Sequence, residues 1–287
     1  MRPFGYLRPD SLDEVLALLT RHGPDARLLA GGTDLIVRLR LGHVRPTLVV
    51  DVKRVGALRA DIVEEEAHLR VGARVVMTDL IRDERVRRHF PALVEAAAVV
   101  GSVQIRNRAT LVGNVCNASP AADTAPALLV YGAIANVVGP AGPHRVALTD
   151  FFTGPGQTAL NRGEIVESID LPLPSSARGA AFGRVTRRFG VDIATINICC
   201  LVSASGPTRF AYGAVSSRPL LVEDESGVLA DDSAPAAARS ERLQRLISNA
   251  SPISDVRGSR EYRLAMLEVM SRRTLDAARD RLRGSET

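Results

Sequence analysis

The stretch that decides the fold of this chain is Leu28-Leu29-Ala30-Gly31-Gly32-Thr33-Asp34, in which a short apolar run ends in two adjacent glycines. The apolar run predicts a β-strand, and Leu35, Ile36 and Leu39 beyond the glycines predict a short helix. Glycine accepts positive φ and carries no Cβ, so the backbone of such a turn can come close to a ligand. Because successive N–H groups in a turn form a concavity that suits an anion, this stretch is a candidate phosphate-binding turn.

A second turn of the same kind occurs at Ala109-Thr110-Leu111-Val112-Gly113-Asn114-Val115. Two such turns facing each other would bind a diphosphate, and the hydroxyls of Thr33 and Thr110 would add donors. Either turn alone is more often only a tight turn, and neither matches GxGxxG, so the Rossmann fingerprint is absent. Composition and spacing by themselves therefore indicate an α/β protein with a candidate phosphate site and nothing more specific.

The segments around the first turn predict helix, strand, glycine turn, helix and strand over residues 1–51. Ser11 and Glu14 form a capping-box pattern where the first helix begins. Residues 101–123 show no clean period, and a loop of that length inside a compact domain is usually functional. Further strands are predicted at 68–73, 133–138, 164–171, 182–186, 193–202 and 209–215, and further helices at 78–90, 91–98, 234–249 and 258–282.

A run rich in proline and serine, Leu171-Pro172-Leu173-Pro174-Ser175-Ser176, indicates a domain boundary. A chain of 287 residues exceeds what one simple core usually holds, so two domains are the default expectation. After the boundary the strands precede the helices, and this segregation favours an α+β fold over a doubly wound sheet.

The charged residues exclude several classes of function. Lys53 is the single lysine among 37 basic residues, and no GxxxxG precedes it, so Schiff-base catalysis and a Walker A loop are not expected. The arginines are interspersed with acidic residues, and aromatic residues make up 4% of the chain without any Trp. A nucleic-acid-binding surface is therefore not predicted.

The cysteines and histidines predict no metal site and no disulfide framework. The three cysteines are Cys116, Cys199 and Cys200, without a CxxC spacing, and the five histidines lie far apart. We expect the cysteines and Tyr131 to be buried packing residues. The amino-terminal segment lacks the apolar core of a signal peptide, and no apolar run reaches the roughly 18 residues of a membrane span. We therefore expect a cytoplasmic protein without a membrane span.

Several segments together resemble, in the same order along residues 4–215, the FAD-binding (medium) subunits of molybdenum hydroxylases. This family includes the FAD subunit of bacterial xanthine dehydrogenase and the medium subunit of aerobic carbon monoxide dehydrogenase. The segments are Ala30-Gly31-Gly32-Thr33-Asp34-Leu35, Gln104 to Thr110 leading into Gly113-Asn114, Asn117 to Asp123, Phe151-Phe152 followed by Gly154-Pro155-Gly156, Gly163 to Val166 before Leu171-Pro172, and Asp192-Ile193-Ala194.

The resemblance implies the architecture and the site. It implies an α+β fold: a two-lobed PCMH-type FAD-binding domain over 1–174, with lobes at about 1–55 and 56–174, then a small C-terminal α+β flavoprotein domain over 175–287, with a three-stranded antiparallel sheet and helices. No residue is expected to act as a catalyst on the hydroxylated substrate. The residues expected to bind the cofactor are Arg27, Leu28, Leu29, Ala30, Gly31, Gly32, Thr33, Asp34, Thr110, Leu111, Val112, Gly113, Asn114, Asp123, Ile165, Val166 and Arg184.

Within that set the resemblance assigns different roles to different residues. The two turns lie on the FAD diphosphate, and Asp123 helps to hold the cofactor. Ile165 and Val166 match residues that line the flavin ring, and Arg184 matches a basic residue near it. Two roles remain for Asp192: a hydrogen bond near the flavin, or the first residue of a strand.

The function implied is electron transfer from iron–sulfur clusters through FAD to NAD or another acceptor. The expected partners are a large molybdopterin-binding subunit and a small iron–sulfur subunit, in a dimer of heterotrimers; they would carry the molybdenum cofactor and the [2Fe-2S] clusters. Two alternatives remain at this point: a self-contained flavin oxidoreductase, and an assembly subunit without a cofactor. The second is motivated by Val112, which stands where the family usually has glycine, and which we expect to adopt an ordinary φ.

Overall fold

The structure is a computed structural model, and it describes residues 2–284. We call residues 2–174 the N-terminal region and residues 175–284 the C-terminal region. The N-terminal region contains β1 (Gly5–Leu7), α1 (Leu12–His22), β2 (Ala26–Leu29), α2 (Leu35–Arg40), β3 (Leu48–Asp51), β4 (Ile62–Glu65), β5 (His68–Gly72), α3 (Met77–Arg82), α4 (Glu84–His89), α5 (Pro91–Ala98), α6 (Val103–Arg106), α7 (Leu111–Cys116), α8 (Thr124–Val130), β6 (Ile134–Gly139), β7 (Gly142–Ala147), α9 (Leu148–Phe151), β8 (Phe152–Gly154), β9 (Gln157–Thr158) and β10 (Ile165–Pro172).

These strands form three sheets. β1, β3 and β2 make a small parallel sheet in that order, with β3 buried along its whole length between the other two. β4, β5, β10, β6 and β7 make an antiparallel sheet in that order, and β8 and β9 form a hairpin. The predicted order of helix, strand, glycine turn, helix and strand is confirmed from α1 to β3, whereas β1, which precedes them, was not predicted. The Ser11 hydroxyl accepts a hydrogen bond from the Glu14 amide at 3.2 Å as the cap of α1.

Two predictions about helices in this region are wrong. The segment 78–90 is not one helix but two, α3 and α4, because Asp83 ends the first and caps the second. Its carboxylate accepts from the amides of Arg85 and Val86 at 3.0 and 3.2 Å, which is the local bonding that begins a new helix. The segment 101–123 is not a plain loop, since it contains α6 and α7, each begun by a hydroxyl cap from Ser102 and Thr110 respectively.

The C-terminal region is one antiparallel sheet covered by two helices. Its elements are β11 (Arg178–Val185), β12 (Ile196–Ser203), β13 (Thr208–Gly213), β14 (Leu220–Asp224), α10 (Ala236–Ile247) and α11 (Arg260–Gly284). The α+β class is as predicted, but the sheet has four strands in the order β11, β12, β13, β14 rather than the predicted three. β14 was missed because it is an edge strand whose side chains are mostly half-exposed, so it lacks a buried alternation.

The sheet of the C-terminal region joins the two halves of the molecule. One face, including Cys199 and Leu201, shares the hydrophobic core of the N-terminal region, where α5 and the fully buried α8 pack against it. The other face, including Cys200 and Tyr212, packs against α10 and α11. Tyr131, Cys199 and Cys200 are buried, as expected, whereas Cys116 is only partly buried. The boundary at residue 174 and the two lobes stay predictions.

Residues 2–284 contain neither a candidate membrane span nor a candidate metal cluster. No helix among them is long and apolar enough to cross a membrane. The same residues contain no group of three or more His, Cys, Asp or Glu side chains placed to hold a metal ion.

Candidate cofactor-binding site

The first glycine turn connects β2 to α2 and leaves a row of amides free. Gly32 has φ +75°, in the left-handed region that a residue with a side chain rarely adopts. The N–H groups of residues 31–34 donate to no acceptor among the described residues. Unpaired amides in one turn are the donors that an anion needs.

The two glycine turns contact each other through their backbones. A Cβ built on Gly31 would lie 2.0 Å from the carbonyl oxygen of Arg108 and 3.1 Å from the Cα of Ala109, so glycine is required for this approach. The guanidinium of Arg38 reaches the side-chain oxygen of Asn117 at 3.5 Å and adds a second link between these parts of the chain. The sequence is compatible with two glycine turns that face each other, and in the structure the two turns are in contact.

The second turn is the start of helix α7. The Thr110 hydroxyl accepts from the Gly113 amide at 3.0 Å, and the Leu111 amide donates to Val75 at 3.2 Å, which fixes the turn beside α3. Val112 is 5% exposed and lies inside α7 without a positive φ. The ordinary φ expected at Val112 is thus observed, and the motive for an assembly subunit without a cofactor disappears.

A chain of polar contacts leads from the second turn to the C-terminal region. The Thr124 hydroxyl donates to the side-chain oxygen of Asn114 at 2.7 Å, and Asp123 is the preceding residue. Asp123 accepts from the Arg184 guanidinium at 3.1 Å through one carboxylate oxygen and from the Asn197 amide at 3.1 Å through the other. Burial raises the pKa of the Asp123 carboxyl, while the hydrogen bond from Asn197 and the charge of Arg184 act against that rise.

Sequence reasoning named Asp123 and Arg184 but missed Asn197. Asn197 is 0% exposed, in strand β12, whose other residues up to Val202 are apolar. A lone amide in a buried strand is the signal that was available, because a buried polar group must find partners elsewhere in the fold.

Among the described residues, the side chains of several other predicted residues form no hydrogen bond with either turn. The Arg27 guanidinium turns back and donates to the carbonyls of Pro24 and Ala26 at 2.6 and 2.9 Å. Ile165 and Val166 begin β10, against which α7 packs, and are 5% and 1% exposed. Asp192 lies in the loop before β12, where its carboxylate accepts from the Ile193 amide at 2.9 Å.

The polar groups of the two turns suit a dinucleotide cofactor. The free amides of residues 31–34 supply donors for a diphosphate, and the contact at Gly31 places the second turn directly beside them. Asp123 retains acceptor capacity, because a carboxylate has about four acceptor positions and two are occupied. The fold and the geometry of the two turns thus define a candidate nucleotide-cofactor-binding protein, in which the two glycine turns pack together beside free amides.

Comparison with known families is more specific. Residues 2–174 match the model of the FAD binding domain in molybdopterin dehydrogenase, and residues 180–278 match the CO dehydrogenase flavoprotein C-terminal domain. The chain belongs to this family: it is an FAD-binding subunit of the molybdenum hydroxylases and a flavoprotein oxidoreductase subunit.

Relatives match over nearly the whole chain. The xanthine dehydrogenase FAD-binding subunit of Escherichia coli O157:H7 is 31% identical, with 95% of each chain covered. The carbon monoxide dehydrogenase medium chain of Afipia carboxidovorans is 32% identical, with 97% of each chain covered. A solved carbon monoxide dehydrogenase from Hydrogenophaga pseudoflava, which lacks the Mo-pyranopterin moiety of its molybdenum cofactor, superposes with a TM-score of 0.90 at 31% identity, over 98% of this chain and 99% of that one. This likeness to subunits of larger enzymes favours a subunit over a self-contained flavin oxidoreductase.

Proposed function

We propose that this chain holds FAD between its two glycine turns and passes electrons from iron–sulfur clusters of a partner subunit to NAD or another acceptor. Bound FAD would accept and release electrons either singly or as a pair, which joins one-electron and two-electron carriers. The observation that carries the proposal is the backbone contact of Gly31 with Arg108 beside a row of unpaired amides.

The site residues divide by the chemistry they offer. The amides of residues 31–34 and the hydroxyl of Thr33 bind the diphosphate, with the second turn, residues 110–114, on its other side. Asp123 accepts from a hydroxyl of the cofactor, and Arg184 lies next to it as the nearest described cation. The family resemblance assigns Ile165 and Val166 to the flavin ring, next to which they would lie as buried residues at the start of β10, and the segment 27–30 supports the first turn.

The wider assembly follows from the same family membership. We propose a large molybdopterin-binding partner and a small iron–sulfur partner, arranged as a dimer of heterotrimers in the cytoplasm. The medium chain of carbon monoxide dehydrogenase and subunit alpha of the 6-hydroxypseudooxynicotine dehydrogenase complex are both named as components of larger enzymes. The substrate would be selected on the molybdenum subunit, outside this chain.

Gly32 provides the test. Gly32→Ala places a side chain at φ +75° beside the free amides and 2.8 Å from the side chain of Leu29, whereas Gly142→Ala adds a Cβ at φ +96° at the start of β7, where nothing lies within 4 Å. We expect Gly32→Ala to weaken FAD binding at least about tenfold, and Gly142→Ala to bind like the wild type. The measurement is titration of the apo-protein with FAD, followed by flavin absorbance.

The same titration decides the proposal. A wild-type chain that binds no FAD would refute the function. Equal FAD affinities of the Gly32 and Gly142 variants would place the cofactor somewhere other than the first turn.

A further inference from the structure

The segment Asn117–Asp123, which we call the clamp segment, is held by the C-terminal region through several donors. The Ala214 amide donates to the Pro120 carbonyl at 2.7 Å. The Asn197 side-chain amide donates to the Ala121 carbonyl at 3.3 Å and to the Asp123 carboxylate at 3.1 Å. These contacts tie the middle and the end of the clamp segment to strand β12 and to the residue that follows β13.

Backbone strain is concentrated at the same place. Ala118 and Ala214, at φ +46° and +62°, are the non-glycine residues with positive φ in the part of the chain that the structure describes. Ala118 lies in the clamp segment, and Ala214 donates to it. Strained residues of this kind persist only where the surrounding contacts over-determine them, and they cluster at functional sites.

Asn197 has one orientation that satisfies its contacts. Its Nδ2 faces two acceptors, the Ala121 carbonyl and the Asp123 carboxylate. If Nδ2 and Oδ1 were exchanged, the amide oxygen would face these two acceptor oxygens and no hydrogen bond would form. Its Oδ1 is buried without a partner among the described residues and fills the space above Gly213, where a Cβ would lie 1.9 Å from it. An amide buried at this cost is not explained by core packing alone, because an apolar side chain would leave no unpaired oxygen.

We propose that Asn197 is a positioning residue for the cofactor, which acts through Asp123, so that the C-terminal region completes the FAD site. This inference rests on the proposed function. Asn197 and Arg184 each donate to one carboxylate oxygen of Asp123. These two hydrogen bonds fix the orientation of the carboxylate, and so they also fix the directions of its remaining acceptor positions. The docking of the two regions and the binding of FAD are therefore coupled.

A matched pair of variants tests the coupling in the complete chain. Asn197→Ala removes the donor to Asp123. Glu95→Ala removes a different contact between the regions, in which the Glu95 carboxylate accepts from the Phe182 amide at 3.1 Å and pairs with Arg281, without touching the clamp segment. We expect Asn197→Ala to weaken FAD binding at least about tenfold and to alter the visible circular dichroism of the bound flavin, and Glu95→Ala to change FAD affinity less than about twofold.

Asn197→Asp adds a second test, because a purely structural role of Asn197 predicts no pH dependence of FAD affinity in this variant. Two carboxylates at this distance share a proton, with Arg184 as the adjacent cation, so the protonated form restores the donor to Asp123. We expect the FAD affinity of this variant, relative to the wild type, to fall as the pH rises from about 5 to about 8. This variant also serves if Asn197→Ala does not fold.

The outcomes separate the two proposals. Wild-type chain without FAD binding overturns the proposed function and this inference together. If the wild type binds FAD, the inference alone is overturned when Asn197→Ala loses no more affinity than Glu95→Ala, or when the affinity ratio of Asn197→Asp to wild type does not vary with pH.

Discussion

Val112 illustrates how a single residue departs from a family pattern without strain. It lies in α7 with an ordinary φ, and its side chain is 5% exposed in the core of the N-terminal region. The glycine usual at this position is therefore not needed here for a left-handed turn. A valine in this place contributes packing, whereas glycine in this first turn of α7 would contribute neither packing nor helix propensity.

We expect Val112→Gly to lower the free energy of unfolding of the apo-protein by about 2–4 kcal/mol, through lost burial and lost helix propensity. FAD binding should be unchanged or slightly weaker. Urea denaturation and FAD titration measure the two effects, and Val112→Ala, which keeps the helix propensity, is the control. Tighter FAD binding by tenfold or more in the glycine variant would contradict this account.

At the scale of elements, the two turns depend on each other. Gly31 lies against the backbone of Arg108, which belongs to the segment between α6 and α7, so the two turns are packed directly against each other. A backbone atom cannot rotate away as a side chain can, and a Cβ here must separate the turns. Gly31 is thus a structural requirement of the site as well as a part of it.

Gly31→Ala should lower both the thermal midpoint of the apo-protein and its affinity for FAD, because the added Cβ lies 2.0 Å from the Arg108 oxygen. Differential scanning calorimetry with and without FAD measures both effects. Gly56→Ala, where nothing lies within 4 Å, should behave like the wild type. An apo-protein of normal stability in the Gly31 variant would show that the turns separate freely.

At the scale of the whole molecule, a half-buried arginine connects the two regions. Arg178 begins β11 and donates to the His89 carbonyl of the N-terminal region at 3.2 Å. Its guanidinium lies over the rings of Phe90 and Tyr131, 5.2 and 4.9 Å from their centroids. Burial lowers the pKa of this guanidinium, and among the described residues it is held by carbonyls and ring faces rather than by a carboxylate.

We expect Arg178→Met to lower the free energy of unfolding by about 2–3 kcal/mol, since it removes a cation–π contact and a hydrogen bond between the regions. Urea denaturation is the measurement. Arg245→Met is the control, because the Arg245–Glu241 pair is exposed and such pairs contribute less than about 1 kcal/mol. Equal effects of the two substitutions would show that Arg178 contributes no docking energy.

The sequence by itself determined the features that depend on neighbours a few residues apart. The capping box at Ser11, the strand before Gly31 and the glycine turns follow from local propensity and short-range hydrogen bonds, so they could be predicted. The order of the motifs also identified the family. The helix break at Asp83 was not predicted, because a single capping residue does not interrupt a helical pattern of apolar residues. The edge strand β14 was not predicted, because a half-exposed strand gives weak periodicity.

Only the tertiary structure decided which distant groups meet. Gly31 contacts Arg108 across the fold, and Asn197 bonds Asp123 across 74 positions of sequence. No local pattern encodes either contact. The contact of Gly31 depends on where α6 and α7 place the second turn, and the contact of Asn197 depends on how the sheet of the C-terminal region packs against α8. Local propensity determined the turns, packing within the N-terminal region placed the first turn against the second, and the docking of the C-terminal region brought Asn197 and Arg184 to Asp123.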